Sequence, residues 1–167
     1  MTDRVVVNES QVLGSKITRI ENWFREHPGV YDAVKRDELR TLYATLGDET
    51  KAFEQSDIVL ANQLNDQKTL LLLSESATNN NGTISIKHLL GVASRFPQFA
   101  YVGAAVRIRA ADLLASNGQT KAALATYQLV FNGPGNYAQL AKEKSKNLDR
   151  LKTSILRPGD SPIQAQR

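Results

Sequence analysis

The sequence contains no cysteine, which excludes disulfide bonds, thiolate metal ligands and cysteine nucleophiles at once. Long hydrophobic runs are also missing. The longest aliphatic run, Leu70 to Leu73, is far shorter than the roughly 20 residues of a membrane span. The first residues, MTDRVVVNES, lack the basic start and long apolar segment of a secretory signal. We therefore expect no membrane span and a cytoplasmic chain, although a chain that starts after a removed signal or anchor would have the same sequence pattern.

Motifs of catalysis and cofactor binding are absent as well. The sequence has no dinucleotide-binding glycine pattern, no phosphate-binding loop, no nucleophile elbow and no His-Glu-x-x-His. Its two histidines, His27 and His88, have no partner at the spacing of metal ligands. The acidic pairs at 37–38 and 48–49 do not follow an oxygen-ligand loop pattern. We expect no catalytic residue, no metal, no cofactor and no enzymatic activity.

Apolar residues recur at helical spacing along most of the chain, and glycine or proline breaks separate the segments. Val12, Ile17 and Ile20 belong to one expected buried stripe, and Val34 and Leu39 belong to the next. The links are short, which predicts antiparallel neighbours. The pattern predicts about eight helices and no strand, over residues 9–27, 31–46, 49–64, 66–77, 85–96, 98–116, 119–131 and 137–155.

Three glycines divide the predicted helices at nearly equal intervals. Gly47, Gly82 and Gly118 are separated by 35 and 36 residues, and a helix–turn–helix period near 34 is typical of tetratricopeptide repeats. The segments LRTLYATLGDETKA and LLASNGQTKAALATY resemble that family in their large, aromatic, glycine and small positions. The middle unit departs from the pattern, because Lys87 stands where the family has a small residue five positions after the glycine.

The resemblance implies an all-α fold, a tetratricopeptide-like right-handed array of antiparallel helix pairs. Its units would cover residues 31–64, 66–97 and 98–134, with capping helices at 9–27 and 137–155. This repeat domain, residues 9–156, would lie between a flexible N-terminal arm, 1–8, and a disordered tail, 157–167. The alternative is a helical bundle without repeats, in which the glycine spacing is accidental.

In tetratricopeptide arrays the first helices of successive units line a concave groove that binds a partner. The resemblance implies that this groove is lined by Asp37, Thr41, Thr45, Thr69, Leu72, Ser76, Ile108, Asp112 and Ser116. The set lacks lysine and paired asparagines, so the subgroup that clamps acidic C-terminal peptides is not favoured. A groove of small, polar and apolar residues suits an extended or helical peptide with basic or apolar anchors.

The charge is unevenly distributed. Residues 1–60 carry a net charge of −3, residues 61–141 carry +3 and residues 142–167 carry +4. The last predicted helix holds a basic surface of Lys142, Lys144, Lys146, Arg150 and Lys152. The favoured interpretation of this surface is a solvated outer face, and the second is a contact for an acidic protein partner. Nucleic acid is disfavoured, because the total charge of +4 is modest and aromatic residues are not interleaved with the cations.

These features predict a non-catalytic scaffold or adaptor for protein–protein interaction, as a subunit of a larger assembly. Its partners would be other proteins, and self-association is compatible with a short array. One alternative is a secretion or assembly chaperone that holds a client segment in the groove. The other is a small basic nucleic-acid-binding helical protein, whose binding would weaken steeply with salt.

Overall fold

The computed structural model describes residues 8–62 and 82–155, and every regular element in those ranges is an α-helix. The predicted all-α class is therefore confirmed. The predicted helix 66–77, the predicted tail 157–167 and residues 1–7 of the predicted arm 1–8 lie outside the described residues. The described helices are α1 (Glu9–Glu26), α2 (Ala33–Thr45), α3 (Glu49–Asn62), α4 (Gly82–Arg95), α5 (Ala100–Ser116), α6 (Thr120–Gln128) and α7 (Tyr137–Ile155).

Side-chain oxygens fix the starts of the first three helices. Asn8 Oδ1 accepts the backbone N–H of Ser10 at 3.1 Å, which places the start of α1 at Glu9. Asp32 and Asp48 accept backbone N–H groups in the first turns of α2 and α3, at 3.0 and 3.1 Å. Such caps satisfy donors that have no partner inside the helix, and the negative charge interacts favourably with the helix dipole.

The turns at Gly47 and Gly118 have the same geometry. Their φ angles are 79° and 75°, in the left-handed region that glycine adopts without steric cost. In each turn the residue after the glycine donates its N–H to a carbonyl five residues back, at 2.9 Å in both cases. Each glycine joins two helices that pack on each other, α2 with α3 and α5 with α6. Gly82 is the first residue of α4, and the residues before it lie outside the described ranges.

Helix α5 lies at the centre of the described fold and packs against α3, α4, α6 and α7. Its alanines allow this, because Ala104, Ala105, Ala110 and Ala111 are at most 3% exposed and let neighbouring helices approach closely. A second, smaller cluster joins α1 to α2 and α3 through buried residues: Ile17, Ile20, Leu39, Leu42, Tyr43 and Ala52.

Two of the residues expected in the core are exposed. Val34 is 77% exposed and Val12 is 41% exposed, although Leu39 and Ile17 on the same helices are buried. Each valine precedes its buried neighbour by five residues, which places it about 140° around the helix. The buried stripes of α1 and α2 are therefore narrower than their apolar pattern indicates. No helix in the described part of the chain combines the length and apolar character needed to cross a membrane.

Candidate partner-binding surfaces

The predicted groove residues of α2 follow one face of that helix. Asp37, Thr41 and Thr45 are spaced by one turn each, and both threonines are exposed. The Thr41 hydroxyl donates to the Asp37 carbonyl at 3.0 Å, and the Thr45 hydroxyl donates to the Thr41 carbonyl at 2.8 Å. The Asp37 carboxylate accepts Arg40 at 2.7 Å and its side chain stays 48% exposed. Among the described residues, these three side chains form hydrogen bonds only within α2.

The predicted groove residues of α5 stand at the same distances before Gly118 as those of α2 stand before Gly47. Ser116 is exposed and donates to the Asp112 carbonyl at 2.9 Å, as Thr45 does to Thr41. Ile108 differs, because it is 1% exposed and belongs to the main core.

Asp112 joins three helices through its carboxylate. It accepts the Tyr127 hydroxyl of α6 at 2.5 Å and the Lys144 ammonium of α7 at 3.1 and 3.2 Å. Burial, followed by the hydrogen bond to Asp112, raises the pKa of the Tyr127 hydroxyl above its ordinary value. Asp112 was predicted as a groove residue and Lys144 as part of the basic surface. The structure therefore joins one residue of the predicted groove to one residue of the basic surface. The same contact links α5, α6 and α7.

The other four cations of the basic surface are accessible to solvent. Lys142, Lys146, Arg150 and Lys152 are exposed, whereas Lys144 is half-buried beside Asp112. From residue 149 to 154 every side chain of α7 is exposed, and Leu151 is 61% exposed. The last turns of α7 therefore have little packing against the described part of the chain.

The two described groups of groove residues are not in contact. Within the described ranges, α2 and α5 do not touch, and α3 packs between them against α5. The middle group, Thr69, Leu72 and Ser76, lies outside those ranges. A continuous groove through all three groups stays a prediction.

The sequence did not predict two clefts beside α4. One, of about 140 Å³, lies between α2, α3 and α4 and is lined by Arg40, Ala44, Glu49, Ala52, Phe53, Ser56 and His88. The second, of about 480 Å³, follows the outer side of α4 and is lined by Lys87, His88, Gly91, Val92 and Arg95. Arg95 bonds Glu49 at 2.6 Å and connects α4 to α3. No sequence pattern reveals the cleft between α2, α3 and α4, since it depends on how three helices pack.

A partly buried carboxylate contact was also missed. Asp57 of α3 accepts the backbone N–H of Val102 at 3.0 Å, in the first turn of α5. Burial raises the pKa of Asp57, and hydrogen bonds from the backbone of Val102 and Tyr101 oppose that increase. Because this carboxylate is committed to a helix terminus, we assign it a structural role.

Among the residues that the structure describes, no three His, Asp or Glu side chains lie close enough together to hold a metal ion. Comparison with known proteins does not identify a family. No family model matches the chain, and neither a search of curated proteins nor a search of solved structures finds a match.

Proposed function

We propose that this chain is a non-catalytic adaptor that binds a protein partner on the exposed face of α2 and on equivalent faces of a tetratricopeptide-like array. The observation that carries the proposal is the repeated turn. Two helix pairs, joined at Gly47 and Gly118, have the same left-handed glycine and the same hydrogen bond five residues back, 71 residues apart. Repetition of one helix-pair unit is the basis of solenoid binding surfaces.

The α2 face suits a partner because, within residues 8–62 and 82–155, its threonines form no hydrogen bond to another helix. Thr41 and Thr45 are exposed, and their hydroxyl groups bond to carbonyls of their own helix. A partner could take these hydroxyl groups without disturbing the core. The cleft between α2, α3 and α4 begins on the adjacent side of α2, at Arg40 and Ala44. It offers an apolar floor beside polar groups, the combination that peptide-binding grooves use.

The test introduces large, charged side chains on the exposed face of α2. The double variant Thr41→Arg/Thr45→Arg changes two exposed positions, so the fold is expected to persist. Tagged wild-type and variant chains are purified from the native source, and the proteins recovered with each are compared by quantitative mass spectrometry. We expect the proteins enriched with the wild type to be reduced about tenfold in the variant, which corresponds to about 1.4 kcal/mol of binding energy.

Thr18→Arg is the matched control. Thr18 is an exposed threonine on α1, and its hydroxyl donates to the carbonyl four residues before it, as those of Thr41 and Thr45 do. This control should recover the same proteins as the wild type. Equal recovery by the folded double variant would reject the α2 face as the binding surface.

A second candidate function rests on charge. Residues 82–155 carry 10 Lys or Arg against 3 Asp or Glu, a basic excess that attracts phosphates. Every aromatic side chain described there is buried or half-buried, so none is available for stacking on bases. Duplex or single-stranded DNA would therefore bind weakly and with a steep dependence on salt. Nucleic-acid binding that weakens steeply with salt and is lost when the exposed cations of α7 are replaced would favour this candidate over the adaptor.

A further inference from the structure

Helices α6 and α7 form an open cleft at the C-terminal end of the described fold. It is shallow and widely open to solvent, and it is lined by Gly118, Gln119, Thr120, Lys121, Ala122, Ala125 and Lys152. Its position follows from helix length, since α6 has 9 residues and α7 has 19, so α7 extends beyond its neighbour. The cleft is distinct from the α2 face.

Apolar surface is exposed on both helices at this end. Ala122 and Ala125 are exposed on α6, and Leu129, next on the same face at a spacing of four, is 66% exposed. On α7, Leu151 is 61% exposed and directly precedes Lys152. Small residues flanked by leucine let a second helix approach closely, as the alanines of α5 do inside the fold.

The pattern of packing along the chain indicates that the occupant is a helix. Helix α3 is covered by α5, and the pair α5 and α6 is covered by α7. Among the described residues no further helix packs on the outer face of α6. A helix from a partner would continue the same type of interface by one more layer.

The charges of the cleft specify the chemistry of that helix. Lys121 and Lys152 line it, and no carboxylate does. A partner that places carboxylates against these cations gains attraction and faster association, whereas a basic partner is repelled.

We propose that the cleft between α6 and α7 binds an amphipathic helix of another protein, with an apolar face of alanine and leucine flanked by aspartate or glutamate. The proposal rests on the proposed function, because it assumes that the chain binds proteins, and adds a second contact of defined chemistry. The helix packs its apolar face on Ala122, Ala125 and Leu129. Its carboxylates pair with Lys121 and Lys152.

The test uses two synthetic helical peptides with the same leucine and alanine face. One carries glutamate on both flanks and the other carries lysine at the same positions. Binding to the full chain is followed by fluorescence anisotropy. The glutamate peptide is expected to bind, and Lys121→Glu/Lys152→Glu is expected to weaken its binding about tenfold, because each reversal replaces an attraction with a repulsion.

Two further variants separate charge from shape. Ala125→Arg keeps the positive charge but blocks the floor, so it should also weaken binding of the glutamate peptide. Lys16→Glu makes the same charge reversal at an exposed position on α1 and should leave binding unchanged. Circular dichroism confirms that each variant is folded. Thr41→Arg/Thr45→Arg should not affect the peptide, so failure at this cleft is distinguishable from failure at the α2 face.

Several results would overturn the proposal. These are no binding of the glutamate peptide to the folded wild type, equal binding of the lysine peptide, or binding that the double charge reversal leaves unchanged. Self-association of the wild type that Ala125→Arg abolishes would assign the cleft to a second copy instead. Binding of duplex DNA or anionic vesicles with the same dependence on Lys121 and Lys152, without binding of the glutamate peptide, would assign it to a phosphate surface.

Discussion

Contacts made by single polar residues join helices that are distant in sequence, and Asp57 is the clearest case. Its carboxylate caps α5, whose own N-cap residue, Phe99, has no side-chain acceptor. The first turn of a helix leaves backbone N–H groups without partners, so an acceptor supplied by α3 satisfies one of them. Asp57 and Val102 are 45 residues apart. Their contact could not be predicted, because no local pattern specifies which side of α3 faces the start of α5.

Removal of this cap should destabilise the fold in a graded way. Asp57→Ala is expected to lower the free energy of unfolding by about 1 kcal/mol, the usual value of an N-cap oxygen. Asp57→Asn keeps an oxygen acceptor and should cost less. Urea unfolding followed by circular dichroism measures both, with Asp149→Ala on the exposed end of α7 as control. Equal losses from Ala and Asn would show that charge, and not the hydrogen bond, carries the effect.

The tyrosines provide a pH-dependent prediction. Burial raises the pKa of Tyr137 to about 12, and it also raises the pKa values of Tyr43 and Tyr127 above the ordinary 10.0. Above pH 10 the unfolded chain therefore loses phenol protons that the folded chain keeps. The contribution of these tyrosines to the free energy of unfolding should be fully present below pH 10 and decrease between pH 10 and 12. Tyrosinate absorbance and circular dichroism should change together. Ionisation of all tyrosines near pH 10 with the helices intact would contradict this.

At the scale of elements, helix positions were predictable and helix faces were less so. Proline and glycine breaks placed the ends of α1 and α7 within one residue of the structure. The prediction that Val34 is buried was wrong for a different reason. Apolar character shows which residues can be buried, but the position of the neighbouring helix decides which of them are buried. Ile108 illustrates the same limit. The repeat register placed it in a groove, but the structure places it in the core.

Replacement of glycine by alanine should change the free energy of unfolding in opposite directions in a turn and in a helix. Gly118→Ala forces a Cβ into the left-handed region and is expected to lower the free energy of unfolding by about 1 kcal/mol. Gly14→Ala lies within α1, where a Cβ meets nothing within 4 Å, and should raise it by about 0.5 to 1 kcal/mol. Thermal or urea unfolding of both variants measures the contrast. A neutral Gly118→Ala would contradict the described turn.

The two repeated turns also differ in one cap that can be exchanged. Asp48 caps α3, whereas Gln119, at the equivalent position of α6, makes no capping bond. Gln119→Asp is expected to raise the free energy of unfolding by about 0.5 to 1 kcal/mol. The added carboxylate also lies in the cleft between α6 and α7. The same variant should therefore weaken binding of the glutamate peptide while it stabilises the free chain, and stronger binding would count against the cation-lined cleft.

At the scale of the whole molecule, the described chain is electrically asymmetric. Residues 8–62 carry 7 Lys or Arg against 10 Asp or Glu, whereas residues 82–155 carry 10 against 3. Such a distribution orients an approaching partner before contact. The asymmetry is visible in the sequence, but the surfaces that use it are not. Lys144 is occupied by Asp112 inside the fold, while Lys152 lines an open cleft, and the basic run in the sequence does not distinguish them.

Hydrogen–deuterium exchange on the full chain, free and in complex with the protein that co-purifies with it, locates the partner most directly. We predict that complex formation slows amide exchange in α2, over residues 37–45, because a bound partner shields that face and suppresses local opening. Slower exchange confined to α1, or a folded chain that recovers no partner protein, would contradict an adaptor that binds through its repeated helix pairs.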